Sequence, residues 1–487
     1  MSNPQFSTSA PTTPSEDAAW SDLFRAPYGV YALLLTLAVF LYASNTLLMT
    51  TIMPTALKNI GGVELMSWAT SFFLVASVLS ASSASLISAR LGLKTGLLLA
   101  LTLFTLGTLT CAAAPSMSVM LFGRCLQGAG GGLLNAFSYA IVSRLFPQML
   151  WTRMFATLSG CWGFAALLGP LVGGVFADLG MWRGAFISIA LLAGLLAIGV
   201  FVSFPAPSRD EDNAGFYPFG RLSLVALGVG AISIGGLTDQ IAVALGLILA
   251  GIVAFAGMIT LDLRASKQLF PKGAFRLNGG VGLALWIVLF VSIAIAPPDI
   301  YSPLFLQTLH GLSATVAGYV AATQAFGWTF TALFVASLPL KYAPRLIVGA
   351  PLMMGVGLIG VSAMMAPGPI WMLLLMVYLV GAGIGGCWTF LSMAAMRAAE
   401  PGDEERVGSS IASLQLIGLA LGASLSGVVA NLAGLRFGVT EATVTSASQW
   451  LPAVFCLSGL LAAGFGLRLY LQEKRSPQKL FASARES

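Results

Sequence analysis

The chain has 487 residues, of which 57% are hydrophobic and only 9% are charged, and its formal net charge is +6. Roughly a quarter of the residues in a soluble protein are charged, so this composition excludes an ordinary soluble fold and places most of the chain in lipid. The basic residues lie between apolar runs, which favours membrane orientation over nucleic-acid binding as the reason for the net charge.

The order of polar and apolar segments predicts five regions. Residues 1–26 are rich in Ser, Thr and Pro without the features of a signal peptide, so we predict a disordered cytoplasmic tail. Residues 27–205 are predicted to form an N-terminal six-helix bundle, and residues 206–278 a linker with two extra transmembrane helices. Residues 279–472 are predicted to form a C-terminal six-helix bundle, followed by a cytoplasmic tail at 473–487.

Fourteen stretches reach the roughly twenty apolar residues needed to cross a hydrocarbon core of about 30 Å. They begin near Tyr31, Ser67, Thr95, Val119, Phe155, Ala185, Leu222, Ala242, Val281, Thr315, Leu346, Ile370, Ser409 and Leu451. With a cytoplasmic N-terminus, the cytoplasmic segments hold all Lys and Arg residues except Lys58, Arg124, Arg183 and Arg436, as the positive-inside rule requires. The sequence therefore predicts an all-α polytopic membrane protein with about 14 transmembrane helices and both termini cytoplasmic.

An internal repeat relates residues 126–183 to residues 379–436 without a gap. LQGAGGG in the fourth stretch matches LVGAGIG in the twelfth, and Arg144 matches Arg397. Parallel repeats of six helices place the substrate near the membrane midplane, between the two halves. The repeat therefore predicts the architecture of a transporter, with the two extra helices packed peripherally.

A polar stripe follows the fourth stretch. Arg124, Gln127, Gly131 and Asn135 are spaced by three or four residues and share one face of a helix, which within lipid must face a cavity. An intramembrane charge costs at least about 2.5 kcal/mol, and such residues usually mark ion or substrate pathways. The alternative is that Arg124 extends to the outer surface. Its partner in the repeat is Val377, which favours a functional role.

Two motifs carry a resemblance to a known family. With RCLQGAGGG from Arg124 and GPLVGG from Gly169, the chain resembles the major facilitator superfamily, and within it the fourteen-helix drug:proton antiporter branch. The resemblance covers nearly the whole chain and implies two six-helix bundles plus two extra helices. It also implies a gating role for Gly169, Pro170, Gly173 and Gly174, where the proline kinks the helix and the glycines admit a neighbouring backbone. The alternative is a close-packing face alone.

Two departures from the family pattern bear on mechanism. The segment after the second stretch has Ser85 and Ala89 where the family has a glycine and an aspartate, and retains Arg90 and Gly92 as predicted gating residues. In the first stretch the branch carries an aspartate where this chain has Asn45. An asparagine can offer hydrogen bonds to a substrate but cannot carry a proton.

Asp299 is the one carboxylate that we place inside an apolar stretch. Prolines at 297, 298 and 303 are expected to break the helix around it, and irregular backbone at membrane depth is tolerated only within protein or beside a water-filled cavity. We predict that Asp299 couples transport to protons, with Arg124 as its electrostatic partner. The alternative is an exposed loop carboxylate just beyond the membrane.

The substrate site is predicted from polar and aromatic residues on the cavity helices. Large aromatic side chains with few fixed polar groups suit amphiphilic organic ligands. The predicted substrate-binding residues are Asn45, Arg124, Gln127, Asn135, Trp162, Gln307, Gln324 and Trp388. The alternative for each tryptophan is a place in lipid or at the membrane interface.

The chain lacks the residues of the common catalytic and metal sites. It has one histidine and five cysteines without paired spacing, and no P-loop, HExxH or GxSxG pattern. We therefore predict a protein that is not an enzyme, with no catalytic residues, no metal and no cofactor.

The leading hypothesis is export of a small amphiphilic compound by alternating access and proton antiport. Its expected partners are a small-molecule substrate, protons and membrane lipid, with no nucleic acid, and we expect a monomer in the plasma membrane, as in a bacterial inner membrane. One alternative is an uncoupled or differently coupled carrier, such as an importer of a metabolite or chelate. Another is a sensor that does not transport.

Overall fold

Fourteen long helices make up most of the part of the chain that the structure describes. The computed structural model describes residues 20–25, 27–204, 218–238, 240–266, 268–336, 338–400 and 404–475. Its long helices are α1 (Tyr28–Ile60), α2 (Met66–Ala81), α3 (Leu93–Ala113), α4 (Met117–Leu145), α5 (Gln148–Asp178), α6 (Trp182–Ser203), α7 (Phe219–Gly235), α8 (Ile241–Arg264), α9 (Gly280–Leu309), α10 (Ala314–Ala336), α11 (Ala343–Met364), α12 (Ile370–Arg397), α13 (Glu404–Leu432) and α14 (Glu441–Arg475). No β-strand occurs in these ranges, which agrees with the predicted all-α class.

Eleven helices in the described ranges are long and apolar enough to cross a membrane. The three long helices outside this set are α4, α7 and α10, of which α7 has only 17 residues. Each of the fourteen predicted stretches begins within one of the fourteen helices. The chain is therefore an integral membrane protein, while the count of fourteen crossings stays a prediction.

Most of the two predicted tails lies outside the described residues, as do residue 205 of the predicted N-terminal bundle and residues 206–217 of the predicted linker. Trp20–Leu23, within the predicted disordered tail, instead forms a short helix that packs on α1 and α5. Leu23 is fully buried there, and burial of its side chain offsets part of the cost of ordering these residues. At the other end of the chain α14 continues to Arg475, past the predicted boundary at 472.

The helices pack in a pattern that occurs twice. In the N-terminal helices (α1–α6), α1 packs on α5 and α6, and α4 packs on α2 and α3. In the C-terminal helices (α9–α14), α9 packs on α13 and α14, and α12 packs on α10 and α11. Each helix thus takes the partners of the helix eight places earlier, as the repeat in α4–α5 and α12–α13 requires.

Glycines at matching positions of the repeat set the spacing of the helices. A side chain at Gly128 in α4 would collide with the carbonyl oxygen of Phe73 in α2. A side chain at Gly381, the matching position in α12, would collide with the carbonyl oxygen of Gln324 in α10. Glycine lets two backbones approach closely, so the repeated motif produces the same close contact in both sets of helices.

The inserted pair, α7 and α8, packs outside the repeated pattern. The two helices pack on each other, α7 also contacts α13 and α2, and most of α8 is exposed. A buried ion pair between Arg221 and Asp262 joins the pair at one end. Towards the other end Ser233 Oγ donates a hydrogen bond to Ser424 Oγ of α13 at 2.8 Å.

Candidate functional site

An open cavity lies between the N-terminal and C-terminal helices, with about 770 Å³ of empty space that includes open solvent. Residues of α1, α2, α4 and α5 form one wall, and residues of α9, α10 and α13 form the other. The polar lining residues are Thr46, Thr50, Thr51, Thr70, Arg124 and Asp299, and the rest of the lining is alanine, glycine, proline, leucine and isoleucine. A mostly apolar wall with a few convergent polar groups is typical of a binding site for small organic molecules.

A buried hydrogen-bond network holds Arg124 in the cavity wall. It is 1% exposed; its Nε donates to the carbonyl oxygen of Ala69 at 3.0 Å and its Nη1 to Gln127 Oε1 at 2.9 Å. Gln127 Nε2 donates to Asn45 Oδ1 at 3.1 Å and to Thr108 Oγ1 at 2.9 Å. Arg124 therefore does not extend to the membrane surface. Asn45 and Gln127 are fully buried and hold Arg124 in place rather than lining the cavity.

Asp299 lines the opposite wall of the cavity. The expectation of a broken helix around it is wrong, because α9 runs without interruption through all three prolines. Protein surrounds this part of α9, so the carbonyl groups that lose a partner at the prolines are not exposed to lipid. Asp299 is half-buried ten residues before the end of α9 and accepts a hydrogen bond from Gln324 Nε2 of α10. It is therefore not a loop carboxylate.

The predicted gating segment of α5 packs tightly on α1 and α10. Its members are Gly169, Pro170, Gly173 and Gly174. A side chain at Gly174 would collide with the backbone of Thr315, and a Cβ at Gly169 would lie 2.9 Å from Leu47 Cβ. Pro170 lies inside α5 and lines the cavity. The segment thus lies where the N-terminal and C-terminal helices touch, and its gating role stays a prediction.

The other two predicted gating residues lie away from the cavity. The segment Ala84–Leu91 is a short helix rather than a loop, and Arg90 near its end is exposed. Gly92 follows with φ of +78°, a conformation that favours glycine, and separates this helix from α3. Ala89, where the family has an aspartate, is buried.

Four further predicted substrate-binding residues do not line this cavity. Trp162 is 41% exposed on α5, and Trp388 of α12 packs on Trp328 with 5.6 Å between ring centroids. Asn135 and Gln307 are half-buried on α4 and α9. Of the eight predicted residues, Arg124 alone appears in the lining, and Gln324 reaches the site through Asp299.

Four threonines on the cavity wall were not predicted. They are Thr46, Thr50, Thr51 and Thr70. Thr46 donates to the carbonyl oxygen of Tyr42 at 3.0 Å and Thr50 to that of Leu47 at 2.9 Å, so their hydroxyl oxygens remain acceptors for a ligand. Thr46 and Thr50 are one helical turn apart, and this spacing is the signal that could have identified them.

Contacts between the N-terminal and C-terminal helices close one end of the cavity. That end, where α1, α5 and α13 finish and α2 and α10 begin, is the predicted outer face. Asp178 at the end of α5 accepts hydrogen bonds from the backbone nitrogen of Thr315 at 3.1 Å and from its hydroxyl at 2.6 Å. Ser424 Oγ of α13 donates to Ser71 Oγ of α2 at 3.1 Å.

The cavity offers hydrogen-bonding and ionisable groups to a ligand. Its lining contributes hydroxyl groups, one guanidinium and one carboxylate. Across the described ranges, no group of three or more His, Cys, Asp or Glu side chains could hold a metal ion. The five cysteines are free, and four of them are buried.

The repeated helix packing and the central cavity agree with the result of a comparison of sequences. A sequence model of the Major Facilitator Superfamily matches residues 34–423. The chain belongs to this family. Members of the superfamily are in general carriers rather than enzymes.

Individual relatives and solved structures agree with this assignment. A probable multidrug-efflux transporter of Mycobacterium tuberculosis is 36% identical over 86% of this chain and 91% of its own length. The multidrug transporter protein MdtP of Bacillus subtilis is 26% identical over 82% of this chain and 74% of its own length. A bacterial homologue of the human lysosomal transporter Spinster, solved in an inward-facing and unoccupied conformation, has a TM-score of 0.63. The match covers 93% of this chain and 100% of the homologue's chain at 15% sequence identity, so it supports the fold alone.

Proposed function

We propose that this protein exports a small amphiphilic organic compound by alternating access, in exchange for protons. The observation that carries the proposal is the cavity between the two sets of helices, with Asp299 as the one carboxylate among the described lining residues. Its mostly apolar wall suits an amphiphilic ligand, and a carboxylate that faces a cavity at membrane depth is a typical proton carrier. The efflux role that is named for the Mycobacterium tuberculosis relative supports the direction of transport.

The proposed architecture has fourteen transmembrane helices in two six-helix bundles, residues 27–205 and 279–472, with the inserted pair in residues 206–278. Both termini are cytoplasmic, and the protein acts as a monomer in a bacterial inner membrane. In this orientation Asp178 and Ser424 close the outer end of the cavity. The cavity then faces the cytoplasm, which is the state that loads a substrate for export.

The proposed proton carrier is Asp299, and Gln324 gives each of its protonation states a partner. As a carboxylate, Asp299 accepts the hydrogen bond from Gln324 Nε2. As a carboxylic acid, it can donate its O–H group to Gln324 Oε1, an atom that has no partner in the described part of the chain. The amide therefore stabilises the site before and after proton transfer, and Arg124 on the opposite wall is the proposed electrostatic partner of the carboxylate.

The proposed gate is formed where α5 meets α10 and where α2 meets α13. Gly169, Pro170, Gly173 and Gly174 let α5 lie directly on its neighbours, so a small rotation of one bundle separates Asp178 from Thr315 and Ser424 from Ser71. Arg90 and Gly92 lie at the predicted cytoplasmic side, where closure would follow. Alternating access therefore breaks contacts at the outer end of the cavity and forms contacts at its cytoplasmic end.

The test is proton movement in inverted membrane vesicles that hold an imposed pH gradient. We expect amphiphilic compounds to dissipate the gradient with the wild-type protein and with Glu441→Gln, which changes an exposed carboxylate at the start of α14. We expect no dissipation with Asp299→Asn, because an amide cannot carry a proton. A substrate response in Asp299→Asn equal to that of the wild type would remove Asp299 from the proposed mechanism.

A second candidate is a carrier that is uncoupled or coupled differently, such as an importer of a metabolite or chelate. The observation that favours it is Asn45. This buried residue is neutral, whereas the fourteen-helix drug:proton antiporter branch that the chain resembles has a titratable aspartate at this position. In that case the wild-type protein would transport a labelled solute without any response of the pH gradient.

A further inference from the structure

Two ionisable side chains on opposite walls of the cavity do not form an ion pair. Arg124 belongs to α4 and Asp299 to α9, and both line the same cavity. None of the ion pairs within the described ranges joins them. The polar partners of both groups are neutral, since Arg124 binds Gln127 and Asp299 binds Gln324. Each charge is therefore left without an opposite charge at bonding distance.

The guanidinium of Arg124 has hydrogen-bond donors to spare. Of its five N–H groups, one on Nε binds Ala69 and one on Nη1 binds Gln127. Phe73 covers one face of the group, with its ring centroid 4.1 Å from the guanidinium carbon. Nη2 has no acceptor within the ranges that the structure describes, and the side chain contacts the cavity. These free donors are available to an anionic group in the cavity.

The neutral residue Asn45 leaves this charge uncompensated on its own side. Asn45 reaches Arg124 through Gln127, and an aspartate there would place a carboxylate in the same network. A cation that is buried at membrane depth is costly unless an opposite charge compensates it. A ligand that brings an anionic group would supply that compensation and would form charge-assisted hydrogen bonds with the fork of donors.

We infer that the cavity takes a zwitterionic amphiphile, with its anionic group on Arg124, its ammonium group on Asp299 and its apolar body between them. This inference rests on the proposed function and names the substrate class of the same site. Arg124 is then the residue that determines specificity, since a purely cationic compound would meet its repulsion and gain nothing from it. The leucine, isoleucine and alanine side chains of the lining contact the apolar body.

Binding of a zwitterion also explains how the substrate is exchanged for a proton in the proposed antiport. The ammonium group of the ligand and a proton both occupy the carboxylate of Asp299, and binding of one releases the other. A purely anionic ligand would instead favour the protonated site and move in the same direction as the proton. The ammonium group is therefore the part of the substrate that makes the exchange an antiport.

The test is binding of a matched series to the purified full-length protein, measured by calorimetry. The probe is a biphenyl with a carboxylate at one end and an aminomethyl group at the other, compared with its methyl ester, its N-acetyl derivative and the doubly blocked compound. We expect the zwitterion to bind at least about tenfold more tightly than any blocked form, where tenfold corresponds to 1.4 kcal/mol. Equal or tighter binding of the ester would overturn the inference.

Three variants assign the two ends of the ligand. In Arg124→Gln the zwitterion should bind no better than the ester, and in Asp299→Asn no better than the N-acetyl derivative. Asn45→Asp leaves Arg124 in place and adds a carboxylate to its network, so it tests the charge without removing the side chain. There we expect weaker binding of the zwitterion and unchanged or tighter binding of the ester. Unchanged preference for the zwitterion in both Arg124→Gln and Asn45→Asp would overturn the role of Arg124.

The failure of this inference can be told apart from failure of the proposed function. Selective binding of the zwitterion without proton movement in vesicles would overturn the antiport but keep the substrate class. Proton movement that is driven equally well by the methyl ester would keep the antiport and overturn the substrate class.

Discussion

At the scale of single residues, the cavity depends on a buried network that holds one cation in place. Gln127 is its centre, because it accepts from Arg124 and donates to both Asn45 and Thr108. All four residues are buried, so each hydrogen bond replaces one that water would otherwise supply. Removal of Gln127 would leave three buried polar groups short of a partner.

We expect Gln127→Leu to lower the free energy of unfolding by about 1–3 kcal/mol, the usual cost of buried polar groups without partners. Thermal unfolding of the detergent-solubilised protein, monitored by intrinsic fluorescence, would measure the change. Thr102→Val is a matched control, because Thr102 is exposed on α3 and bonds only to Leu98 of its own helix. Equal melting temperatures for Gln127→Leu and the control would show that the network does not contribute to stability.

At the scale of helices, hydrogen bonds join α7 and the residue after it to α13, and α7 also touches α2. Ser233 of α7 donates to Ser424 of α13, and Asn431 Nδ2 of α13 donates to the carbonyl oxygen of Gly236 at 3.1 Å. Ser424 in turn donates to Ser71 of α2. A rotation that opens the predicted outer face must break the bond to Ser71 but can keep the bond to Ser233, so the inserted pair is expected to move with the C-terminal helices.

Two disulfides that share position 424 test this expectation. Oxidation of Ser71→Cys/Ser424→Cys should abolish transport in vesicles, and a reducing agent should restore it, because the bond holds α2 against α13. Oxidation of Ser233→Cys/Ser424→Cys should leave at least about half of the activity. A covalent bond between two residues that move together does not prevent the rotation of one bundle against the other. Both variants are made after replacement of the native cysteines by alanine.

The reverse result would have a definite meaning. If the disulfide between positions 233 and 424 abolishes transport as completely as the disulfide between positions 71 and 424, α7 does not move with the C-terminal helices. If only the disulfide between positions 233 and 424 abolishes transport, the two helices that must move relative to each other are α7 and α13.

At the scale of the whole molecule, the cavity is closed at one end by contacts between the N-terminal and C-terminal helices. Asp178 binds the first turn of α10, and Gly427 of α13 lies against Ser67 of α2 at the same end. In the proposed orientation this end is outside, so solvent reaches the cavity from the cytoplasm. Accessibility from the two sides of the membrane therefore reports both the conformation and the orientation.

We expect a membrane-impermeant maleimide to label Ala325→Cys, a cavity residue, in inverted vesicles but not in intact cells. Val439→Cys is the matched control, because Val439 is exposed in the turn between α13 and α14 at the predicted outer face. It should be labelled in intact cells. Labelling of Ala325→Cys from the outside, with Val439→Cys also labelled there, would show that the cavity opens to the outer face.

Much of the fold could be predicted from local sequence because lipid imposes a simple rule. Backbone groups in lipid must pair within each helix, and each predicted apolar stretch begins within one helix of the structure. The repeat also indicated which helices are equivalent, and Gly128 and Gly381 produce the same close contact in the two sets of helices. Asp299 and Arg124 could be singled out because a charge within an apolar stretch is rare.

The cavity lining could not be predicted in the same way. Gln127 shares a polar stripe with Arg124 and Asn45 bonds to Gln127, yet of these three residues only Arg124 lines the cavity. Thr46 and Thr50 resemble ordinary helix residues in the sequence, and they line the wall because α1 meets α10 at that level. Whether a polar side chain is buried in protein or lines the cavity depends on helices that are distant in the chain.

By itself the sequence determined the helical class, the location in a membrane, the internal repeat and the family motifs. These features follow from hydropathy and glycine spacing, which act within one helix or between neighbours in the chain. Only the tertiary structure decided that α9 continues through its prolines, that Gln324 pairs with Asp299, and that Arg124 and Asp299 share one cavity without touching. The physical reason is that these features arise where the N-terminal and C-terminal helices meet, and no local pattern specifies the distance between two charges on opposite walls.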